Sequence, residues 1–260
     1  MGKKEISYPV RGNDIYFELE DKSFWFCHRN DCIVELMKGF PPRGIVYDVG
    51  GGNGCVAKAL EDHGLQTVLV EPGESGIANA KKRGLKNMIC SRLEELELPP
   101  YSLPAIGLFD VIEHIENPTE FLRTISLLLV PGGMLYITVP AFHFLWSEDD
   151  DMAGHFQRYS LKSIRNLLEE NGFCVQYGTY IFSILPFPIF LFRSLPSKFK
   201  SNNRRNRSTI EKRKKDQVRF HKQWNKNKFF ENFFSLERSL VRSQIKIPLG
   251  SSCLIAAKAK

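Results

Sequence analysis

The sequence has no long apolar run. The thirteen residues from Tyr180 to Phe192 carry no charge and are rich in aromatics, but they fall short of the ~20 that a membrane-spanning helix needs. The start, Met1-Gly2-Lys3-Lys4-Glu5, is followed by polar sequence rather than the apolar core of a secretory signal, so a cytoplasmic location is expected. Cysteine is thinly spread. Of the six, at 27, 32, 55, 90, 174 and 253, only Cys27 and Cys32 stand close, at a spacing that suits neither a redox pair nor a paired zinc motif. They read as reduced, mostly buried thiols, and no metal site is expected. A dinucleotide fingerprint is also missing its third glycine. Glycines stand at 50, 52 and 54, while Cys55 occupies the place five residues after the first, which argues against a nicotinamide cofactor.

What is present starts with Asp48-Val49-Gly50-Gly51-Gly52-Asn53-Gly54, directly after the apolar run Gly44 to Tyr47. This reads as a strand ending in a turn nearly bare of side chains, against which a ligand lies flat. Glycine permits positive φ and removes the Cβ that would hold a ligand off. The helix expected from Val56 to His63 turns its free N–H groups toward the same spot. One unit further on, the β-branched run Gln66 to Val70 ends at Glu71, about 20 residues past the first glycine, where doubly wound folds place an acid on a ribose diol.

The rest of the chain alternates in the same way. A helix is expected near Gly76 to Arg83, a short strand at Asn87 to Cys90, and a strand at Ala105 to Phe109. Asn117-Pro118 opens a helix through Leu129, which Pro131-Gly132-Gly133 stops before the strand Met134 to Val139. Ser160 caps a helix to Glu170, Phe173 to Ile181 is the next strand, and Ser252 to Ala257 is the last. Such alternation indicates an α/β fold with a Rossmann-like, doubly wound, mostly parallel sheet. The chain reads as one domain over 1–260, with an N-terminal helical cap over 1–43 and a basic, aromatic-rich helical insertion over 183–247 before the last strand.

Charge is uneven. From Arg193 to Lys228 there are fourteen Lys or Arg against Glu211 and Asp216, so this segment carries 14 − 2 = +12 of a net +7. A solvated loop, a contact with anionic lipid and a contact with nucleic acid all fit such a run. Tyr180 to Phe192 reads equally as ordinary core or as a lid or interfacial segment. A helix is expected from Lys222 to Gln244, with Phe229, Phe230, Phe233, Phe234, Leu236 and Leu240 needing cover.

Taken together, the glycine loop, Glu71-Pro72-Gly73, Phe109 to Ile115, Leu129 to Gly133, Val139-Pro140-Ala141 with Leu145-Trp146-Ser147, His155 to Tyr159, and Asn171-Gly172-Phe173 resemble the class I S-adenosylmethionine-dependent methyltransferases. Within them the chain is similar to a bacterial, ubiquinone-pathway-like group. The resemblance implies a seven-stranded sheet with an antiparallel last strand and an N-terminal helix that closes over the cofactor. It implies S-adenosyl-L-methionine as cofactor and S-adenosyl-L-homocysteine as product. The cofactor residues it points to are Asp48, Gly50, Gly51, Gly52, Asn53, Glu71, Pro72, Leu93, Phe109 and Asp110. The sequence departs from the group at Ser91-Arg92, where an acid for the adenine is usual, at Asp149, where histidine is usual, and at Gln157, where a second arginine is usual.

A hydroxyl or amine acceptor loses a proton, and histidine is tuned for that near neutral pH. His155, His143 and His114 are the candidates, with His155 first because the group also has histidine there. A structural hydrogen bond from His155 to the acidic loop 148–151 is the alternative. Arg158, Tyr159 and Trp146 are the candidate acceptor contacts, although Arg158 could instead pair with Asp150 or Asp151. The expected activity is methyl transfer to an oxygen, less favourably a nitrogen or carbon, of a small-molecule acceptor that is apolar, lipid-linked or glycan. Residues 187–228 are the candidate contact with an anionic membrane surface. RNA methylation through the basic insertion is an alternative, against which the Asn-Pro-Pro-aromatic motif is absent. A non-catalytic cofactor-binding protein that recruits a partner is another.

Overall fold

The computed structural model describes residues 17–199 and 228–260. Seven strands form one sheet: β1 (Val46–Val49), β2 (Thr67–Val70), β3 (Met88–Ile89), β4 (Leu103–Phe109), β5 (Leu129–Pro140), β6 (Phe173–Ile181) and β7 (Ser252–Ala259). Their order is β3-β2-β1-β4-β5-β7-β6. β7 runs antiparallel between β5 and β6, and the other recorded pairings are parallel. The order reverses between β1 and β4, which opens a crevice at their carboxyl ends.

Helices cover both faces, so the strands bury side chains in both directions. Alternation along β5 shows it: Leu135, Ile137 and Val139 enter one core with Ile125 and Ile164, whereas Met134 and Tyr136 enter the other. That second core is closed by α1 (Phe24–Gly39), whose Ile33, Leu36 and Met37 are fully buried. Ser23 caps α1 by accepting from the Trp25 amide. The helix lies over the face of the sheet that carries Met134 and Tyr136.

One expected boundary differs. The helix after Asn117, α4 (Pro118–Leu128), ends before the Pro131-Gly132-Gly133 turn, and β5 has already begun at Leu129. Leu103 pairs with Leu129 and Ala105 with Met134, so the Pro-Gly-Gly segment is an excursion within the strand rather than a break before it. Gly132 supplies the positive φ of 74° that this excursion requires.

After β6 the chain turns at Phe182, whose φ is +60°. The thirteen-residue uncharged run divides here: Tyr180 and Ile181 complete the strand, and the remainder forms α7 (Pro186–Ile189) and a π-helical turn at Phe190–Ser194. This turn leads into α8 (Leu195–Phe199). Leu185 and Ile189 face inward, while Phe187 and Phe192 are 73% and 72% exposed. Among the described residues no helix is long and apolar enough to cross a membrane.

The return helix α9 (Lys228–Arg242) packs on α1. Phe234 is buried there and stacks on Phe24 and His28, whereas Leu236, expected to need cover, is exposed. Glu237 anchors the joint. One carboxylate oxygen contacts His28 Nε2 at 2.7 Å and accepts the Phe182 amide, and the other accepts the Ser183 amide at 2.9 Å. Most of the basic stretch, including Arg204 to Lys215 and the expected helix start at Lys222 to Asn227, lies outside the described residues.

Candidate active site

Gly50, Gly52 and Gly54 all have positive φ, at 72°, 55° and 72°. The loop they form opens into a cavity of about 1020 Å3 at the carboxyl ends of β1, β2 and β4. Gly51 admits no side chain, because a Cβ there would lie 2.4 Å from Asp48 Oδ2 and 2.5 Å from Leu69 Cδ1. Glu71, at the end of β2, spans the loop: Oε2 accepts the Gly52 amide at 3.0 Å and Oε1 the Gly73 amide at 2.7 Å. Burial raises its carboxyl pKa, and the two amides oppose that shift. Pro72, Leu93 and Phe109 are further walls.

Asn53 is tied to both neighbours of the loop, donating to Glu20 and accepting from Asn79 Nδ2 at 3.1 Å. Asp48 stands behind the loop rather than in the cavity wall. It is fully buried, its Oδ2 accepts the Ala57 amide at 3.1 Å near the start of α2 (Cys55–Asp62), and burial lifts its pKa to about 7. Its place is that of a buttress holding strand to helix.

Asp110 follows β4 with a φ of +56°. Its Oδ1 accepts from Thr138 Oγ1 at 3.0 Å, and its Oδ2 meets Arg29 Nη1 at 2.5 Å. Arg29 comes from α1 and is buried, and its Nε has no hydrogen-bond partner among the described residues. A cation and an anion therefore sit side by side beyond the glycine loop. Sequence reasoning missed Arg29; its signal was a lone arginine one helical turn after Trp25 on a segment expected to cover the site.

The opposite end of the cavity is built by α5 (Glu148–Ala153) and the loop after it. His155 Nδ1 lies 2.8 Å from Asp150 Oδ1. Arg158 grips the same carboxylate through Nε at 2.7 Å and Nη2 at 3.0 Å, and donates to the Ala141 carbonyl at 3.1 Å. Burial alone would raise the Asp150 pKa; the hydrogen bonds from His155 and Arg158 outweigh it and hold the group at about 2. His114 stands edge-on to His155, with ring centres 4.8 Å apart, and burial followed by the neighbouring His155 pushes it down to about 4. Glu113 is fully buried beside them, and burial with the nearby Asp110 charge drives its pKa well up.

His155, His114 and Arg158 thus meet in one cavity. His143, Trp146 and Tyr159 are not among its walls. His143 packs against Trp146, whose indole N–H donates to Asp151 at 3.1 Å, and Tyr159 is in the core, where its hydroxyl accepts from Gln157. Of the two readings of Arg158, the pairing with Asp150 is the one present.

The family model for a methyltransferase domain matches residues 28–177. The chain belongs to that family. A Mycolicibacterium smegmatis protein named as a probable S-adenosylmethionine-dependent methyltransferase is 24% identical over 65% of this chain and 66% of its own length. A Bradyrhizobium diazoefficiens ubiquinone biosynthesis O-methyltransferase is 29% identical over 36% of this chain and 38% of its own. The chain thus matches about two fifths to two thirds of the lengths of these relatives. A solved Thermotoga maritima S-adenosylmethionine-dependent methyltransferase, described as a possible histamine N-methyltransferase, superposes with a TM-score of 0.57. It is 16% identical, covers 96% of each chain, and shares the fold. The expected sheet, with its antiparallel last strand, and the class I methyltransferase family are both established by these findings.

S-adenosylmethionine fits the methyltransferase cradle on grounds internal to the structure. Its adenosine is suited to the bare Gly50–Gly54 backbone and to Glu71, a diol acceptor, while a zwitterionic amino-acid tail matches the paired Arg29 and Asp110 charges. Two groups among the described residues, His28 with Cys32 and Glu237, and Glu113 with His114 and His155, have ligand atoms within 4.8 Å of one another and so could hold a metal ion. The first is already joined by hydrogen bonds within the protein.

The insertion supplies part of the cavity wall through Leu185, Pro188, Ile189, Phe192 and Pro196, with Trp25 of α1 also lining it. It is hooked to α5 by two contacts and to the turn before it by a third. Arg193 pairs with Asp149, Ser197 Oγ accepts the Glu148 amide at 3.2 Å, and Ser194 Oγ donates to the Leu145 carbonyl at 2.8 Å. Asp149, where the resembled group usually has histidine, is thus engaged by the insertion.

Proposed function

We propose that this chain transfers a methyl group from S-adenosylmethionine to an oxygen of a small, largely apolar acceptor. The observation that carries this reading is the meeting of a nucleotide-type cradle and an Asp150-bound His155 in one cavity. The cofactor supplies an electrophilic methyl already activated by its sulfonium. The protein's share is to align an acceptor, exclude water and receive a proton. Glu71 holds the diol, Arg29 and Asp110 hold the amino-acid tail, and Leu185 and Ile189 dry the acceptor end. With Nδ1 occupied by Asp150, His155 Nε2 is the nitrogen that takes the hydroxyl proton. Oxygen is preferred over nitrogen because the ubiquinone O-methyltransferase relatives point that way.

The test is a methyl-transfer screen against catechol, phenol, quinol, glycan and RNA acceptors, with His155→Ala alongside wild type. Methylation of a hydroxylated aromatic is expected. Loss of a general base lowers turnover about 10²–10⁴-fold, with cofactor affinity retained. A wild-type rate in His155→Ala would refute the base assignment.

A peripheral contact with anionic membrane belongs to the same proposal, supported by the exposed Phe187 and Phe192 close to Arg193. Co-sedimentation with phosphatidylglycerol vesicles that weakens at high salt is expected. Equal binding to neutral vesicles, or none, would remove it. The RNA reading rests on basic residues that lie mostly at 200–227, outside the described residues.

A further inference from the structure

We propose that Asp150 is the positioning residue of the reaction, holding the ring and the tautomer of His155 with the same carboxylate that closes the first turn of α5. The inference rests on the assignment of His155 as base. It is carried by how fully the carboxylate is used. Oδ1 faces His155 Nδ1 at 2.8 Å and Arg158 Nε at 2.7 Å. Oδ2 accepts Arg158 Nη2 at 3.0 Å, the Ser147 amide at 2.9 Å and the Ser147 hydroxyl at 3.3 Å. The side chain is fully shielded from solvent.

An ionised carboxylate only accepts hydrogen bonds. In the neutral ring the proton shared with it therefore sits on His155 Nδ1, which leaves Nε2 with a free lone pair. The main chain adds a second tie, since the His155 amide donates to the Asp150 carbonyl at 3.0 Å. Ring and backbone of His155 are thus both fixed to one residue.

Arg158 completes the device. Its Nη1 donates to the Ala141 carbonyl just past the end of β5, so the sheet fixes Arg158, Arg158 fixes Asp150, and Asp150 fixes His155. The Asp150 carboxylate also completes the capping box with Ser147. Folding of α5 and orientation of the base are therefore one event. This explains why an acidic residue at the third helical position serves here where a glutamine would satisfy the cap alone.

Asp150→Asn separates these roles. With its carbonyl kept toward His155, the new NH2 faces the Ser147 amide and Arg158, donor against donor. Turned over, it donates to Nδ1 and forces the proton onto Nε2. The second, which sets the NH2 against the one donor Arg158 Nε rather than against both Ser147 N and Arg158 Nη2, is the arrangement expected, and it removes the base from its working state.

The experiment is long-range 1H–15N NMR on histidine-labelled protein, with the His155 signals assigned by their loss in His155→Gln, together with turnover on catechol as probe acceptor. Wild type is expected to show the Nδ1–H tautomer. Asp150→Asn is expected to populate Nε2–H and to lose about 10²–10⁴ in kcat, with the KM for S-adenosylmethionine within about twofold. A folded Asp150→Asn protein that keeps the Nδ1–H tautomer, or keeps its kcat while His155→Ala loses it, would overturn the proposal alone. An undiminished His155→Ala enzyme would instead overturn the base assignment on which it rests. If Asp150→Asn does not fold, the wild-type spectrum still decides: an Nε2–H tautomer there refutes the inference.

Discussion

Replacing Gly76 by alanine adds one methyl group where α3 (Glu74–Lys82) crosses the glycine loop. Two effects of opposite sign compete. In a helix interior alanine is favoured over glycine by roughly 0.5–1 kcal/mol. Against this, the new Cβ would lie 2.7 Å from the Gly52 carbonyl oxygen, 3.1 Å from its carbon and 3.0 Å from Glu71 Cγ. Two of those atoms are backbone of the cofactor loop, so relief requires moving the loop, by about 0.7 Å to restore an ordinary 3.4 Å contact. Overpacking of this kind costs about 1–3 kcal/mol, so the clash wins and a net loss of up to roughly 2.5 kcal/mol is expected. At about 2–4 °C per kcal/mol for a chain of this size, Tm should fall by up to about 10 °C. Because Gly52 N donates to Glu71 Oε2, the shift also disturbs the diol acceptor. Cofactor affinity should drop about tenfold, equivalent to 1.4 kcal/mol. Calorimetric unfolding and titration with S-adenosylhomocysteine measure both. A raised Tm with unchanged Kd would show that helix propensity outweighs the contact and would refute the packing argument.

Glu71→Ala should weaken cofactor binding by about 1.5–3 kcal/mol, the worth of hydrogen bonds to a charged group, and unaltered affinity in calorimetry would displace the ribose site from Glu71. His114, held down to about 4 by burial and by His155, should make the protein acid-sensitive. Between about pH 6.5 and 4 the unfolded chain binds a proton that the folded chain does not, so stability falls with falling pH by up to about 3 kcal/mol. Urea melts of wild type and His114→Asn across that range check this, and parallel pH slopes would count against it. Arg193→Ala removes the half-exposed pair with Asp149, which should cost at most about 1 kcal/mol of stability. Because Arg193 helps hook the acceptor wall to α5, the variant should raise acceptor KM several-fold while leaving cofactor affinity unchanged; an unmoved KM would sink the hook.

Some parts of this protein are legible from neighbours in the chain. The Gly50–Gly54 loop, Glu71 at the end of a β-branched run and the alternation of strands with helices are local patterns. Hydrophobic period and turn chemistry act over a few residues, and a residue string displays them directly. Even there, spacing misled at Pro131-Gly132-Gly133, because whether such a turn ends a helix or bulges a strand depends on the register with β4, which no local pattern states.

The working pairs arose differently. Arg29 and Asp110 are 81 residues apart, and His28 and Glu237 are 209 apart; they meet only after the sheet has ordered its strands and α1 and α9 have packed on one face. Three acids in a row left Asp149, Asp150 and Asp151 interchangeable on paper. Tertiary structure gave each a different partner: Arg193, the His155–Arg158 pair, and the Trp146 indole. Successive residues on a helix point about 100° apart, so the direction each carboxylate faces, and with it the choice of base and buttress, exists only once α5 has docked against the end of β5.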